Sequence, residues 1–234
     1  KYKERFGEFG KMTKSNNTYD ALVIPTGETT FGEYSFPVTN KAVELFKTGK
    51  YGCIFITGGN SGFATKERIE KADTEGKETY DYIVKEKGIN RNKVFYDDQS
   101  LESVGNFTFP ILENLPFNPN LKDFKSMQII AKAGHIWRLV DYFGLVMPDK
   151  VKNDNVDFYS IPGEHNNGLM ARVYHKGIMN AIGKRRGPEE VHEFLMEKHP
   201  FYSEGWYDKS VERRKLEMAA KGGLWNILVG GRVK

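Results

Sequence analysis

"CIFITGG", residues 53–59, is the stretch that decides the fold. Five residues rich in β-branched and aromatic side chains are followed at once by two glycines. A short apolar run that ends at glycine is typical of a buried strand leading into a tight loop. Segments with helical spacing lie on either side of it, at 39–50 and 76–88. The stretch therefore predicts one strand of a parallel sheet whose strands alternate with helices.

The same alternation recurs along the chain and predicts an α/β fold with a mostly parallel sheet of about five strands. Gly49 and Gly88 stand where helices are expected to end, and Pro110 predicts a late first turn or a kink in the third helix. The predicted strands are 21–25, 53–57, 93–96, 127–131 and 156–161, and the predicted helices between them are 39–50, 76–88, 103–115 and 135–145.

The pattern changes after the last strand. Three segments with helical period, 168–183, 187–199 and 209–221, follow one another without a convincing strand between them. We expect a lead segment at 1–19, one α/β domain at 20–162, and a helical C-terminal extension at 163–234 packed on the same domain.

Composition restricts the class of protein. The chain has 234 residues, of which 39% are hydrophobic and 28% are charged, which is typical of a globular protein. The formal net charge of +4 is spread along the chain, and the basic run "GKRRG" at 183–187 is more typical of a solvated connector or a helix end. We therefore predict no nucleic-acid partner. No apolar run approaches the roughly 20 residues needed to cross a bilayer.

The single cysteine, Cys53, excludes an internal disulfide and a cysteine-rich metal site. It lies within an apolar run and is expected to be a small buried residue rather than a catalytic thiol. Cysteine usage and the lack of a signal core at the start of the given chain favour a cytoplasmic location. A cleaved segment remains compatible with the absence of Met at position 1.

Ligands of parallel sheets bind where the strands end at their carboxyl edge. Gly27 follows the first predicted strand, and Gly58, Gly59 and Asn60 follow the second. Glycine there suits either a backbone that approaches a ligand or a tight turn alone. Neither loop has the spacing of a dinucleotide fingerprint or a phosphate-binding loop.

"DDQSLESVGN", residues 97–106, follows the third predicted strand and is unusually polar. Asp97, Ser100, Ser103 and Asn106 are candidate ligand-binding residues, although either serine also suits a helix cap.

His135 and Arg138 stand three residues apart at the start of the fourth helix, so both can face one side. Together with the helix N-terminus they suit an anion or a carboxylate. An exposed histidine and a surface arginine are the alternative. Neither a metal-binding motif nor a nucleophile elbow occurs in the sequence.

The ordered set "ITGG", an acid near the next helix, "DDQSLESVGN" and "AGHIWR" resembles the YdcF/SanA-like family over about residues 20–148. The resemblance implies a Rossmann-like three-layer α/β/α fold with a polar pocket at the strand ends. For the soluble YdcF-like branch it also implies binding of S-adenosylmethionine. By position it makes His135 and Glu75 the candidate catalytic residues, with Glu78 as the second choice for the acid. Gly105 stands where the family commonly has a glutamate, which favours binding over catalysis.

Three functions follow from these observations. The first is a protein that binds a nucleoside-type ligand such as S-adenosylmethionine, with Asp97 or Asp98 accepting from ribose and Arg138 holding a carboxylate. The second is a hydrolase or transferase for a phosphorylated or pyrophosphate-bearing substrate, using His135 and Arg138. The third is a non-catalytic protein whose helical tail, with the aromatic run at 199–207, binds a partner. The sequence indicates no divalent metal.

Overall fold

The computed structural model describes residues 17–26, 35–60, 73–112, 119–162 and 169–202, together with the single positions 70, 209 and 213. Within these residues the chain forms one sheet of five strands: β1 (Tyr19–Pro25), β2 (Tyr51–Thr57), β3 (Val94–Asp97), β4 (Met127–Lys132) and β5 (Val156–Ile161). The helices of the same residues are α1 (Ser35–Phe46), α2 (Glu75–Asp81), α3 (Gly105–Leu112), α4 (Ala133–Val146), α5 (Pro148–Lys152), α6 (Leu169–Ile182) and α7 (Pro188–Lys198).

All strand pairs are parallel, and their order across the sheet is β3-β2-β1-β4-β5. The prediction of an α/β protein with a Rossmann-like parallel sheet is confirmed. The order reverses between β1 and β4, because the chain crosses from β3 at one edge back to the centre. That reversal opens a crevice at the carboxyl ends of β1 and β4, where ligands of such sheets bind.

Helices cover both faces of the sheet. Leu22 and Ile24 of β1 face a core layer that includes α1 and Ile83, whereas Ala21 and Val23 face a second layer built by α3, α4, α6 and α7. Alternate residues of each strand enter opposite layers, and both layers are apolar. This explains why the strands appear in the sequence as nearly continuous apolar runs.

The first two helices differ most from their predicted boundaries. α1 begins and ends four residues earlier than the predicted 39–50. It ends there because the Thr48 hydroxyl donates to the Leu45 carbonyl at 2.6 Å and Gly49 adopts a φ of 75°. The predicted helix 76–88 is divided into α2 and a π-helical turn, Tyr82–Glu86, before Gly88 at a φ of 67°. Both glycines end helical segments, as predicted.

The third helix begins two residues later than the predicted start at 103. α3 begins at Gly105 and is described as far as Leu112, with Pro110 inside it.

α6 and α7 match the predicted helical segments 168–183 and 187–199. α7 packs on α3 and α4. The Arg185 guanidinium donates to the carbonyls of Ala181 and Ile182, so the basic run serves the end of α6 as predicted. Of the helix predicted at 209–221, only positions 209 and 213 belong to the described residues.

None of the helices described here has the length and apolar character that crossing a membrane requires.

Cys53 is predicted to be inert in the native protein. Its side chain is only 5% exposed, and burial raises the pKa of its thiol to about 12. At pH 8 only about one thiol in ten thousand is then the reactive thiolate. We expect a disulfide reagent to react at least ~100-fold more slowly with the native protein than with the urea-unfolded protein. Because Cys53 is the single cysteine, the unfolded chain is its own control. Native and unfolded rates within fivefold of each other contradict this assignment.

Candidate functional site

The loops that follow β1, β2 and β3 are joined directly to one another at the carboxyl edge of the sheet. The Thr26 N–H donates to the Thr57 carbonyl at 2.7 Å, and the Gly58 N–H donates to the Asp97 carbonyl at 3.3 Å. The Asn106 side-chain amide, at the start of α3, donates to the Thr26 carbonyl at 2.8 Å. Asn106 therefore connects the polar loop after β3 to the end of β1, beside the β1/β4 crevice.

The glycines after β2 are required by close approach between loops. A Cβ atom on Gly58 would overlap the Thr26 hydroxyl. A Cβ atom on Gly59 would overlap the Asp98 carbonyl oxygen and lie 2.9 Å from that of Ser100. Glycine therefore lets the β2 and β3 loops pack backbone against backbone. Gly76, which the sequence analysis did not select, donates to the Gly58 carbonyl at 2.8 Å. Gly27 lies outside the described residues.

Asp97 and Ser100 organise the loop after β3. Asp97 is fully buried, and one of its carboxylate oxygens accepts from the Gln99 N–H at 3.0 Å. The other oxygen accepts from the Ser100 hydroxyl. Asp98 is half-buried and accepts from the Gln99 side chain at 2.7 Å. Both carboxylate oxygens of Asp97 therefore accept hydrogen bonds that hold the shape of its own loop.

Ser103, in the loop between β3 and α3, contacts His135, in the first turn of α4. Ser103 Oγ lies 3.0 Å from His135 Nε2, and His135 is fully buried. Arg138, one turn further along α4, is only 9% exposed. The alternative of an exposed histidine and a surface arginine is therefore wrong.

Arg138 has an unused hydrogen-bond donor. The structure describes no hydrogen-bond partner for its buried Nε. The N-terminus of α4 also has no side-chain cap, since the Lys132 side chain makes no capping hydrogen bond. This buried donor and an uncapped helix N-terminus together favour a bound anion.

Asn60, in the loop after β2, has a buried hydrogen-bond acceptor to spare, whereas Arg138 has a donor. Its side-chain oxygen is buried, and no hydrogen-bond partner for it is described. A buried oxygen of this kind suits a hydroxyl or amine donor from a ligand, because an unsatisfied acceptor costs free energy.

Glu102 is the functional candidate that the sequence analysis missed. Its two carboxylate oxygens accept from the N–H groups of Val104 and Gly105, each at 2.6 Å. Glu102 therefore caps the start of α3, and neither Ser100 nor Ser103 does. Burial raises the pKa of Glu102 to about 7, while the two N–H groups and the charge of Arg138 oppose that rise. The signal for it was an acid placed just ahead of a helix, where the helix dipole favours negative charge.

The C-terminal segment explains why residue 105 is a glycine. A Cβ atom at this position would overlap the Tyr202 hydroxyl, which also accepts from the Leu101 N–H at 3.1 Å. Phe201 is 4% exposed and packs against Leu101. The described part of the aromatic run therefore packs on the β3–α3 loop, whereas residues 203–207 lie outside the described residues.

Glu75 lies against the loop after β2. It is the first residue of α2, is 2% exposed, and its N–H donates to the Gly59 carbonyl at 3.3 Å. Glu78, one turn further along, is half-buried. Of the two acids, Glu75 is therefore the one that the fold brings to the glycine loop.

Within the described ranges, no group of three or more histidine, cysteine, aspartate or glutamate side chains is arranged to hold a metal ion.

Two comparisons with known proteins returned no match: neither a protein-family model nor a curated protein matches this chain. The resemblance to the YdcF/SanA-like family therefore stays a prediction from the motifs alone.

Proposed function

We propose that this protein binds a nucleoside-type ligand with an anionic group, such as S-adenosylmethionine, at the carboxyl ends of β1, β2 and β4. The observation that carries the proposal is the buried guanidinium of Arg138 with its unpartnered Nε. A buried donor without a partner costs free energy, so an anionic group of a ligand that accepts from Nε would offset that cost. The uncapped N-terminus of α4 adds partial positive charge beside it.

The nucleoside end of the ligand is assigned to Asn60. Rossmann folds bind ribose hydroxyls through an acceptor near the carboxyl edge of the sheet. Asn60 offers such an acceptor, whereas the oxygens of Asp97 are engaged within their loop. The ends of β2 and β4 lie on either side of β1, two strand spacings or about 10 Å apart. A nucleoside with an anionic tail can span that distance.

S-adenosylmethionine suits both positions. Its ribose hydroxyls can donate to Asn60, and its carboxylate can accept from Arg138. We propose binding without methyl transfer, because the observations that support the ligand concern only its two ends.

A second candidate is favoured by the hydrogen bond of 3.0 Å between Ser103 and His135. A hydroxyl within reach of an imidazole is the arrangement of a nucleophile and its base. With Arg138 beside them, the pair suits a hydrolase or transferase that acts on a phosphorylated or pyrophosphate-bearing substrate.

A ligand panel followed by thermal unfolding tests both candidates. S-adenosylmethionine and S-adenosylhomocysteine at a hundredfold their dissociation constants should stabilise the protein by about 2.7 kcal/mol, which raises the melting temperature by roughly 5–10 °C. Arg138→Gln should weaken this binding at least ~30-fold, because it removes a buried charge partner. Arg186→Gln is the matched control, since Arg186 is exposed at the end of α6.

The panel separates the outcomes. Stabilisation by AMP or sugar phosphates, but not by S-adenosylmethionine or S-adenosylhomocysteine, supports the second candidate. Equal stabilisation of the wild type and Arg138→Gln removes Arg138 from the site. If no ligand of the panel raises the melting temperature, both candidates are overturned. The third function, a non-catalytic protein whose helical tail binds a partner, is then favoured.

A further inference from the structure

We propose that the turn after α7, residues 199–202, is a latch on the loop between β3 and α3, and that protonation of His199 opens this latch. The latch holds the loop at neutral pH and releases it in mildly acidic solution. The loop carries Ser103 of the candidate site, but the inference does not depend on which ligand binds there. It rests on the contacts of the latch and of the His199 ring.

The latch contacts the loop through two aromatic side chains. The Tyr202 hydroxyl accepts from the Leu101 N–H at 3.1 Å and fills the space that a Cβ atom at position 105 would need. The Tyr202 ring also stacks on Phe109 of α3, at 5.2 Å between centroids. Phe201 is 4% exposed and packs against Leu101. Opening of the latch therefore exposes the Leu101 N–H and removes the support of the loop.

His199 joins the latch to the body of the protein. Its backbone N–H donates to the Leu195 carbonyl of α7, and its carbonyl accepts from the Tyr202 N–H, each at 3.1 Å. The ring is 1% exposed. Its Nδ1 accepts from the Phe201 N–H at 3.3 Å, and its Nε2 lies 3.0 Å from the Tyr174 hydroxyl on α6. Because a backbone N–H can only donate, Nδ1 is the nitrogen without a proton, and Nε2 carries the proton of the neutral ring.

A second proton on the ring is incompatible with the closed latch. Both nitrogens of an imidazolium are donors, so the Nδ1–H of His199 would face the Phe201 N–H. Two buried donors would then lack an acceptor, and a positive charge would be held away from water. In the open latch the ring meets water, where an imidazole takes up this proton at about pH 6.5. A fall in pH therefore favours the open latch.

The titratable and charged groups around the latch do not reverse this preference. They come from α6, α7, α4, the loop and the latch itself, and are Tyr174, His192, Arg138, Glu102 and Tyr202. Burial raises the pKa of Tyr174 well above its usual range, so its hydroxyl stays neutral in acid. The charges of Glu102 and Arg138 act on Tyr174 in opposite directions. Protonation of His192 adds positive charge and so acts in the same direction as protonation of His199.

Hydrogen exchange of the Leu101 amide measures the latch without any ligand. One proton taken up at about pH 6.5 lowers the closing constant by up to roughly 30-fold between pH 7.5 and pH 5. We expect the protection of the Leu101 N–H, corrected for the intrinsic exchange rate at each pH, to fall by about 10- to 30-fold. The Val23 amide, in the central strand β1, reports global unfolding and is the internal reference.

His199→Asn separates the shape of the turn from its titration. The side-chain oxygen of asparagine can accept the N–H two residues on, as Nδ1 does, but it takes up no proton in this pH range. Protection of Leu101 should then change by less than about threefold between the two pH values. His192→Asn is the matched control on α7, because its ring meets Phe109 and makes no described hydrogen bond to the latch. It should keep the pH dependence of the wild type.

Nitrogen-15 NMR of the histidine rings tests the same latch in the wild type, so the proposal stays testable even if His199→Asn does not fold. We expect the proton on Nε2 at pH 7.5, and a second ring proton that appears together with the loss of Leu101 protection.

Four results overturn the latch. They are wild-type protection of Leu101 that is unchanged at pH 5, an equal fall in His199→Asn, loss of the pH dependence in His192→Asn, and a doubly protonated His199 ring while Leu101 stays protected. None of them bears on ligand binding at Arg138, so the proposed function is tested separately by the ligand panel.

Discussion

Gly59→Ala is expected to lower the free energy of unfolding by about 3–5 kcal/mol. The added Cβ atom would overlap the Asp98 carbonyl oxygen and lie 2.9 Å from that of Ser100. Both neighbours are backbone atoms, so no rotation of a side chain relieves the overlap. The loops would have to separate and lose the hydrogen bond of 2.6 Å between the Gly59 N–H and the Ser100 carbonyl. Backbone strain and a lost buried hydrogen bond cost about 1–3 kcal/mol each.

Urea unfolding of Gly59→Ala and Gly144→Ala tests this reasoning, because we expect the two substitutions to change the free energy of unfolding in opposite directions. Gly144 lies within α4, and a Cβ atom there meets nothing within 4 Å. Alanine at position 144 should therefore stabilise the protein by about 0.5–1 kcal/mol, because glycine is the poorer helix former. If Gly59→Ala also stays within 1 kcal/mol of the wild type, the β2 and β3 loops do not approach as closely as described.

Phe107→Ala is expected to cost about 3–5 kcal/mol of stability. Phe107 is fully buried beneath the candidate site, and its ring meets that of Phe143 edge to face at 5.2 Å between centroids. Truncation removes this contact and leaves a cavity between α3 and α4, which a packed core fills only in part.

Met196→Ala on α7 is the control for a large apolar side chain at the surface, since Met196 is 50% exposed. It should change the stability by no more than about 0.5 kcal/mol. Chemical unfolding of the two variants under the same conditions provides the comparison. A loss below 1 kcal/mol for Phe107→Ala would mean that α3 is not part of the core.

Glu102 changes the interpretation of Gly105, which stands where the YdcF/SanA-like pattern commonly has a glutamate. The glutamate that the pattern has just before the asparagine is absent at position 105, which led us to favour binding over catalysis. The Glu102 carboxylate, however, accepts from the Gly105 N–H itself. An acid is therefore present at this point of the site, supplied from three residues earlier in the chain.

Local sequence patterns were sufficient for the elements of the fold. Five apolar runs predicted five strands, and each strand was found within two residues of its predicted start. Gly49 and Gly88 marked helix ends because positive φ is a local property of the backbone. The spacing of His135 and Arg138 predicted that both face one side of α4, since helical periodicity is also local.

Only the tertiary structure decided the features that depend on contacts between residues far apart in the chain. The strand order, the role of Gly59 against the β3 loop and the contact of Tyr202 with Gly105 all depend on such contacts. The reason is physical: propensity and periodicity act over a few residues, whereas burial and close approach depend on which surfaces meet once the sheet is assembled. The sequence alone predicted most of the polar groups at the carboxyl edge. Only the folded structure added Glu102 and showed that Asn60 Oδ1 and Arg138 Nε have no described hydrogen-bond partner there.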